Sequence, residues 1–298
     1  MRLRTTTKAA AVVSALVLTA AACGNAGSED DGAASGGDYE VVDSPDFEEG
    51  SRMAELAEQG TVKIGVKFDQ PGIGFRGAGQ DTPTGIDPEM GKIVAGQLGI
   101  APEDIEWIET ISNNREPFLQ NGTVDFVIAS YSITDERREV VGQAGPYYVT
   151  GQDLMVAADD DSITGPDDLE GKRVCSVTGS TPIALIEEEY GADPAGFDTY
   201  SECVDQLLNG SVDAVTTDGA ILLGYAAENP DELKVIGDAF SEERYGIGYS
   251  LDSPELCEFH TDTIDAAYED GDFETAFDAT LGEGGGDVPA KPEIDTCS

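Results

Sequence analysis

The sequence predicts an α/β protein built as two lobes. Apolar, β-branched segments alternate with segments of helical periodicity, the pattern of parallel sheets flanked by helices. The alternation comes in two batches, one ending near position 147 and the next beginning near 170. Two extended, glycine-containing segments, 147–157 and 244–251, are placed to carry the chain between the batches. A chain that leaves one lobe, builds a second and returns makes a hinge with a ligand cleft beside it. The expected bounds are 51–148 with 247–298 for the first lobe, its C-terminal tail partly irregular, and 149–246 for the second.

Taken in order, the elements begin with a helix over 51–59, stopped by Gly60. Val62, Ile64 and Val66 make a buried strand, and Met90, Ile93, Val94 and Leu98 line one face of a helix over 87–98. A strand over 105–108 places Trp107 in the core, and a helix over 115–121 is closed by Gly122 before a third strand, 124–129. The second batch reads as strand 173–177, helix 182–190, a strand around 198–200, helix 203–208 and strand 212–216.

Ahead of the lobes, Arg2, Arg4 and Lys8 precede an apolar, alanine-rich run from Ala9 to Ala22. At roughly 14 residues it is shorter than the about 20 that span a bilayer, so 1–22 is expected to be an export signal. Cys23 follows Ala20, Ala21 and Ala22 and precedes Gly24, which resembles the lipobox of bacterial lipoproteins. The resemblance implies a lipid on Cys23 that anchors the chain to the outer face of the cell membrane. Residues 23–50, rich in Gly, Ser, Ala, Asp and Glu, are expected to be a flexible acidic tether.

Four cysteines then remain, Cys175, Cys203, Cys257 and Cys297, an even number that suggests two disulfides in an exported protein. Three pairings are open. Cys175–Cys203 with Cys257–Cys297 is preferred because each closes a local loop. A metal site is not expected, since there is no C-x-x-C and His260 is the sole histidine, expected on the surface of a C-terminal helix. The formal charge of -44 makes nucleic acid and anionic lipid surfaces poor partners. The acids are dispersed without a calcium-loop pattern, which describes a solvated surface.

Against that charge, the basic residues stand out. Arg115 and Arg137 bracket the third strand and its trailing hydroxyls, Ser130 and Ser132. Ligands of open α/β sheets sit at the C-terminal ends of strands. Those positions supply Lys67 and Phe75 after the first strand, the Gly179-Ser180-Thr181 turn that opens a helix, and Asp218. The sum is an anion site of guanidinium and helix N-terminal N–H groups beside one carboxylate, the complement of an α-amino acid.

At Ser132-Ile133-Thr134-Asp135-Glu136-Arg137, Gly179-Ser180-Thr181 and the run from Val212 to Asp218, the sequence resembles the extracellular solute-binding proteins of polar amino-acid ABC transporters. Within them, Asn114 to Thr123 matches a pattern of the glutamate/aspartate-binding members, and residues 172–225 with Cys175 and Cys203 resemble the actinobacterial glutamate-binding lipoproteins. The resemblance covers about residues 55–282 and implies a two-lobed, periplasmic-binding-protein-like fold of type II. It also implies that Arg137 grips the α-carboxylate with Ser132 and the backbone at Thr181, while Asp218 holds the α-ammonium. Lys67 and Arg115 would then compensate a side-chain carboxylate, because closing a cleft over an unpaired anion is costly. Phe75 would pack on the ligand. Lys67 stands where some acidic-ligand binders have arginine, and Ile73 where the pocket usually has an aromatic, which leaves glutamate, aspartate and glutamine open.

The expected function is capture of L-glutamate by a monomeric lipoprotein that hands it to ABC permease and ATPase subunits, without a cofactor. An amino-acid-like dehydratase would need a further general acid or base in the cleft, and none is evident. A ligand-presenting component of a sensor is the other alternative.

Overall fold

The computed structural model describes residues 36–284 and 287–297. The expected export signal, Cys23 and the first part of the expected tether therefore lie outside the described residues. Helix α1 (Arg52–Gln59) leads into β1 (Val62–Val66), the hairpin β2 (Asp69–Gln70) and β3 (Gly74–Phe75), α2 (Ile86–Gln97), β4 (Ile105–Glu109), α3 (Arg115–Asn121), β5 (Phe126–Val127), α4 (Asp135–Arg138) and the long β6 (Gly142–Thr150). A second series follows: β7 (Gln152–Ala157), β8 (Arg173–Val177), α5 (Thr181–Glu189), β9 (Asp193–Phe197), α6 (Tyr200–Leu208), β10 (Ala214–Asp218), α7 (Gly219–Glu228) and β11 (Leu233–Val235). Strand β12 (Glu243–Tyr249) returns to the first series, and α8 (Leu256–Asp270) and α9 (Asp272–Asp278) complete it.

These strands form two five-stranded sheets, β4-β1-β5-β12-β6 and β11-β7-β10-β8-β9. The α/β fold with two lobes is the one expected, but each sheet is mixed. In the first, β1 runs parallel to β4 and β5, while β12 is antiparallel to both β5 and β6. In the second, β8 is parallel to β9 and β10, and β7 is antiparallel to β10 and β11. The antiparallel strands are those that carry the chain between sheets, where helical crossovers are absent.

The chain crosses at Gly151 and again ahead of Glu243, the residue paired with Thr150. The two crossings are bonded to each other: Gln152 N–H donates to Ser241 Oγ at 3.1 Å, and Phe240 N–H to the Gln152 carbonyl at 2.9 Å.

Several local expectations shift. The third strand is confined to β5, because past Ile128 the backbone leaves the ladder and Ser130 adopts φ 41°. The strand expected around 198–200 lies at β9 instead, and Tyr200 opens α6, since Thr199 and Glu202 form a capping box there. The strand expected over 212–216 is β10, two residues later, with the Asp213 carboxylate bonded to the Arg173 N–H.

The tether expectation fails for residues 36–50. Tyr39 is buried with its hydroxyl donating to Glu89 at 2.7 Å, Val42 N–H donates to the Gly96 carbonyl, and Phe47 packs edge-on against Phe259. Two aromatic anchors and one backbone hydrogen bond dock this otherwise polar segment on the first lobe. His260 is also corrected, being fully buried rather than on the surface. It sits on the inner face of α8 at 4.6 Å from the Phe126 ring, and neither ring nitrogen has a partner among the described residues. Burial pushes its pKa down to about 3, so it is a neutral core residue at physiological pH.

Cys175 is bonded to Cys203, tying β8 to α6 behind the site, and Cys257 to Cys297, tying the C-terminal tail to α8. The tail is held further by the Asp295 carboxylate, which receives both Arg138 and Arg244.

Candidate functional site

The site lies where strand ends of both sheets meet. From the first sheet come Lys67 after β1, Ser112 in the turn after β4, Arg115 at the start of α3, Ser130 and Ser132 after β5, and Arg137 in α4. From the second come Gly179, Ser180 and Thr181 after β8, Tyr200 at the start of α6, and Asp218 at the end of β10. Between them is a cavity of about 10 Å³, enough for roughly one water molecule. Of the expected site residues, Arg115, Ser130, Ser132, Arg137, Ser180, Thr181 and Asp218 line it. Gly179 borders it through its carbonyl. Lys67 stands behind it, donating to the Ser112 hydroxyl at 2.9 Å. Phe75 is not in the wall; it pairs with Asp69 in the β2–β3 hairpin. Ser112, Pro182, Tyr200 and Ile221 line the cavity and were not anticipated. The sequence around Tyr200 reads as strand, which hid its position at a helix start.

The lobes are in contact across this cavity. The Gly179 carbonyl accepts from Nη2 of Arg115 and Nη2 of Arg137, each at 3.1 Å. Gly179 has φ 82°, and a Cβ there would strike the Asn113 side chain, so both the turn and the approach require glycine. At the mouth, Tyr200 N–H donates to the Asp69 carboxylate at 2.8 Å and the Tyr225 hydroxyl to the Asp69 carbonyl.

Arg115 is the most committed cation. Besides Gly179, it donates from Nε to the Ser112 carbonyl and from Nη1 to the carbonyls of Ala129 and Ser130, at 3.1–3.3 Å. Burial and the nearby Arg137 hold its pKa down at about 10, still charged at neutral pH. Arg137 donates from Nη1 to the Ser132 carbonyl at 2.6 Å and its Nε lies 3.4 Å from Glu116, so with Gly179 each of its nitrogens faces an acceptor, two of them in its own lobe. The Tyr131 ring stacks near both guanidinium groups, 4.5 Å from Arg115 and 5.1 Å from Arg137.

Ser130 is held in its left-handed conformation by Asp87, whose Oδ2 accepts the Ser130 N–H at 2.7 Å and whose Oδ1 accepts the Tyr147 hydroxyl at 2.5 Å. Burial raises the Asp87 pKa to about 7 against the pull of these two donors. Lys67 is shifted the other way: burial and Arg115 lower it to about 7. Asp218 faces the cations from the opposite wall. Its Oδ2 accepts the Tyr245 hydroxyl, and its Oδ1 is buried without a partner among the described residues. Burial, then Glu243, raises its pKa to about 7. The chemical character is bipolar: guanidinium groups and serine hydroxyls on one side, an incompletely satisfied carboxylate on the other.

The family model for bacterial extracellular solute-binding proteins, family 3, matches residues 62–283. The glutamate-binding protein GluB of Corynebacterium efficiens is 39% identical over 249 residues, 80% of this chain and 84% of that protein. A glutamine-binding protein of Geobacillus stearothermophilus is 31% identical over 212 residues, 71% of this chain and 80% of that protein. Among solved structures, an ancestral arginine-binding protein bound to arginine superposes with a TM-score of 0.70 at 32% identity, covering 75% of this chain and 99% of that one.

Proposed function

The chain belongs to the bacterial extracellular solute-binding proteins, family 3, and from that premise we propose that it captures L-glutamate and delivers it to the permease of an ABC importer. The observation that carries the reading is the unpartnered Oδ1 of Asp218 across the cavity from Arg137 and Arg115. A zwitterion with a second carboxylate satisfies all three: its ammonium completes Asp218, its α-carboxylate replaces the Gly179 carbonyl on Arg137, and its side chain meets Arg115 and the Lys67–Ser112 pair. Lys67, with its lowered pKa, gains full charge when a carboxylate arrives. Similarity to a glutamate-binding relative at 39% identity supports the same ligand.

An amino acid does not fit in a cavity of about 10 Å³, so the lobes separate to admit it. The Gly179 carbonyl is the internal stand-in that both guanidinium groups release as ligand carboxylates enter. The moving bodies are the two sheets with their helices, hinged at Gly151 and at the return ahead of Glu243. Closure is then a population shift driven by contacts made from both sides.

A thermal-shift screen across the twenty amino acids tests the ligand. At about 100 times its Kd a ligand stabilises by about 2.7 kcal/mol, which for a domain of this size raises Tm by roughly 5–10 °C. L-Glutamate is expected to give the largest shift, with aspartate and glutamine behind it. Arginine or lysine giving the largest shift would exclude an acidic ligand.

The lipid on Cys23 is part of the same proposal, holding the protein on the outer face of the membrane near its permease. In cells, Cys23→Ala is expected to release the protein into the soluble extracytoplasmic fraction. Retention of that variant in the membrane fraction would refute the anchor.

A further inference from the structure

Tyr245 touches both poles of the site by different means. It lies at a bulge of β12, which pairs with β6 at Tyr245↔Tyr148 and again at Ile247↔Ala144, with a register shift between. A bulge re-aims the side chains beside it. Gly246 permits this one, because a Cβ there would press on the Ala144 carbonyl oxygen and the Ile133 side chain. The backbone of Tyr245 bridges Ser132. Ile133 N–H to the Arg244 carbonyl, at 2.7 Å, and Gly246 N–H to the Tyr131 carbonyl, at 2.9 Å, complete the stitch. The hydroxyl crosses to the second sheet and donates to Oδ2 of Asp218. The ring between them is fully buried, with the Tyr147 and Tyr148 rings at 6.2 and 5.7 Å.

We propose that Tyr245 is a positioning residue for α-amino acids, its backbone fixing the Ser132 wall and its hydroxyl fixing the carboxylate of Asp218. The inference rests on the amino-acid-binding function proposed above. An α-amino acid carries carboxylate and ammonium on one carbon, so its two anchors must stand at one separation. Tyr245 sets that separation with a single rigid residue. Its hydroxyl occupies Oδ2 and so leaves Oδ1 for the ligand, in a fixed orientation. Without the hydroxyl the carboxylate rotates and orders only when ligand binds, at a loss of affinity.

The groups that face Asp218 give the pH readout its sign. Glu243 on β12 opposes ionisation, whereas Arg115 on α3 and Arg137 on α4 favour it. Tyr148 on β6 and Tyr200 on α6 lie near it as neutral phenols, their pKa values raised chiefly by burial. The Tyr245 hydrogen bond favours the ionised acid, so removing it raises the Asp218 pKa and moves the acid limb of ligand affinity to higher pH.

Isothermal titration with L-glutamate and with glutarate, which lacks the ammonium, tests this in the wild type, Tyr245→Phe, Asp218→Asn and the double variant from roughly pH 5.5 to 8.5. Tyr245→Phe is expected to weaken L-glutamate roughly tenfold, to spare glutarate, and to move the acid limb upward. It is expected to add little to Asp218→Asn, since it acts through that carboxylate. Equal losses for both ligands, additive losses in the double variant or an unmoved acid limb would each overturn the proposal. Should Tyr245→Phe fail to fold, Tyr245→3-fluorotyrosine supplies a stronger donor and must move the limb downward; no shift overturns the inference. Wild-type protein that binds no α-amino acid removes the function and this inference together. Wild-type binding with Tyr245→Phe unchanged removes the inference alone.

Discussion

In Asp218→Asn, L-glutamate affinity is expected to fall by two to three orders of magnitude while the ligand-free protein melts at or above the wild-type temperature. The loss follows from burying an ammonium without its anion, about 3–5 kcal/mol where one partner of a buried pair is removed, at about 1.4 kcal/mol per decade of affinity. The preserved stability follows from the pKa. Asp218 is raised from 3.8 to about 7 in the folded state. The folded protein therefore binds the extra proton between about pH 4 and 7, and stability falls as pH rises through that window. Above it the folded chain carries a buried, strained charge that asparagine lacks.

The two signs separate loss of a ligand group from loss of the fold. In wild type, affinity should also decline below about pH 7 as Asp218 protonates, and this limb should vanish in Asp218→Asn. Calorimetric titration and melting of both proteins at pH 6 and 8 check the pair of outcomes. Retained affinity in the variant would remove Asp218 from the ligand-binding set.

Arg115→Ala is expected to act on the fold first and on the ligand second. Its side chain is almost wholly buried and serves carbonyls of Ser112, Ala129 and Ser130 in its own lobe. Truncation leaves those oxygens without their donor and opens a hole the size of the largest fully buried side chain among the described residues. Breaking such a buried charged network costs about 3–5 kcal/mol, or roughly 6–20 °C in Tm for a protein of this size. Arg115→Lys should restore little, because one ammonium cannot reach acceptors spread around a planar fork. Calorimetric melting of the ligand-free variants decides it. An Arg115→Ala protein that melts like wild type but binds glutamate poorly would make Arg115 a ligand cation and no more. The arrangement favours both duties, with the Nη2 shared with Gly179 being the part that a ligand can take over.

Much of the fold was legible because its signals are local. Helix α3 is bounded as expected, since Gly122 in the left-handed conformation can end it and little else can. Strands β1 and β8 follow from β-branched content, and α1 from Ser51 and Gly60 at its two ends. Where the local signal was ambiguous, expectation slipped: the strand expected around 198–200 ends earlier, at Phe197, because the Thr199–Glu202 capping box starts a helix at Tyr200. Burial of His260 was illegible for a related reason, because the polar residues beside it on α8 do not reveal which turn of the helix meets the Phe126 ring.

Alternation of elements, their caps, the family-like motifs and the residue types gathered at strand ends could all be read along the chain. Those depend on neighbours within a few positions along the chain. Tertiary structure alone decided that the sheets are mixed, that the segment from 36 to 50 is docked, and that Phe75 stands outside the cavity wall. It also decided what each site residue holds: Gly179 for both arginines, Ser112 for Lys67, and Tyr245 for Asp218. Arg115 and Gly179 are 64 positions apart, and no local periodicity carries the geometry of one lobe docked on another. Composition brings the right charges to the cleft; only the docked lobes assign each hydrogen bond.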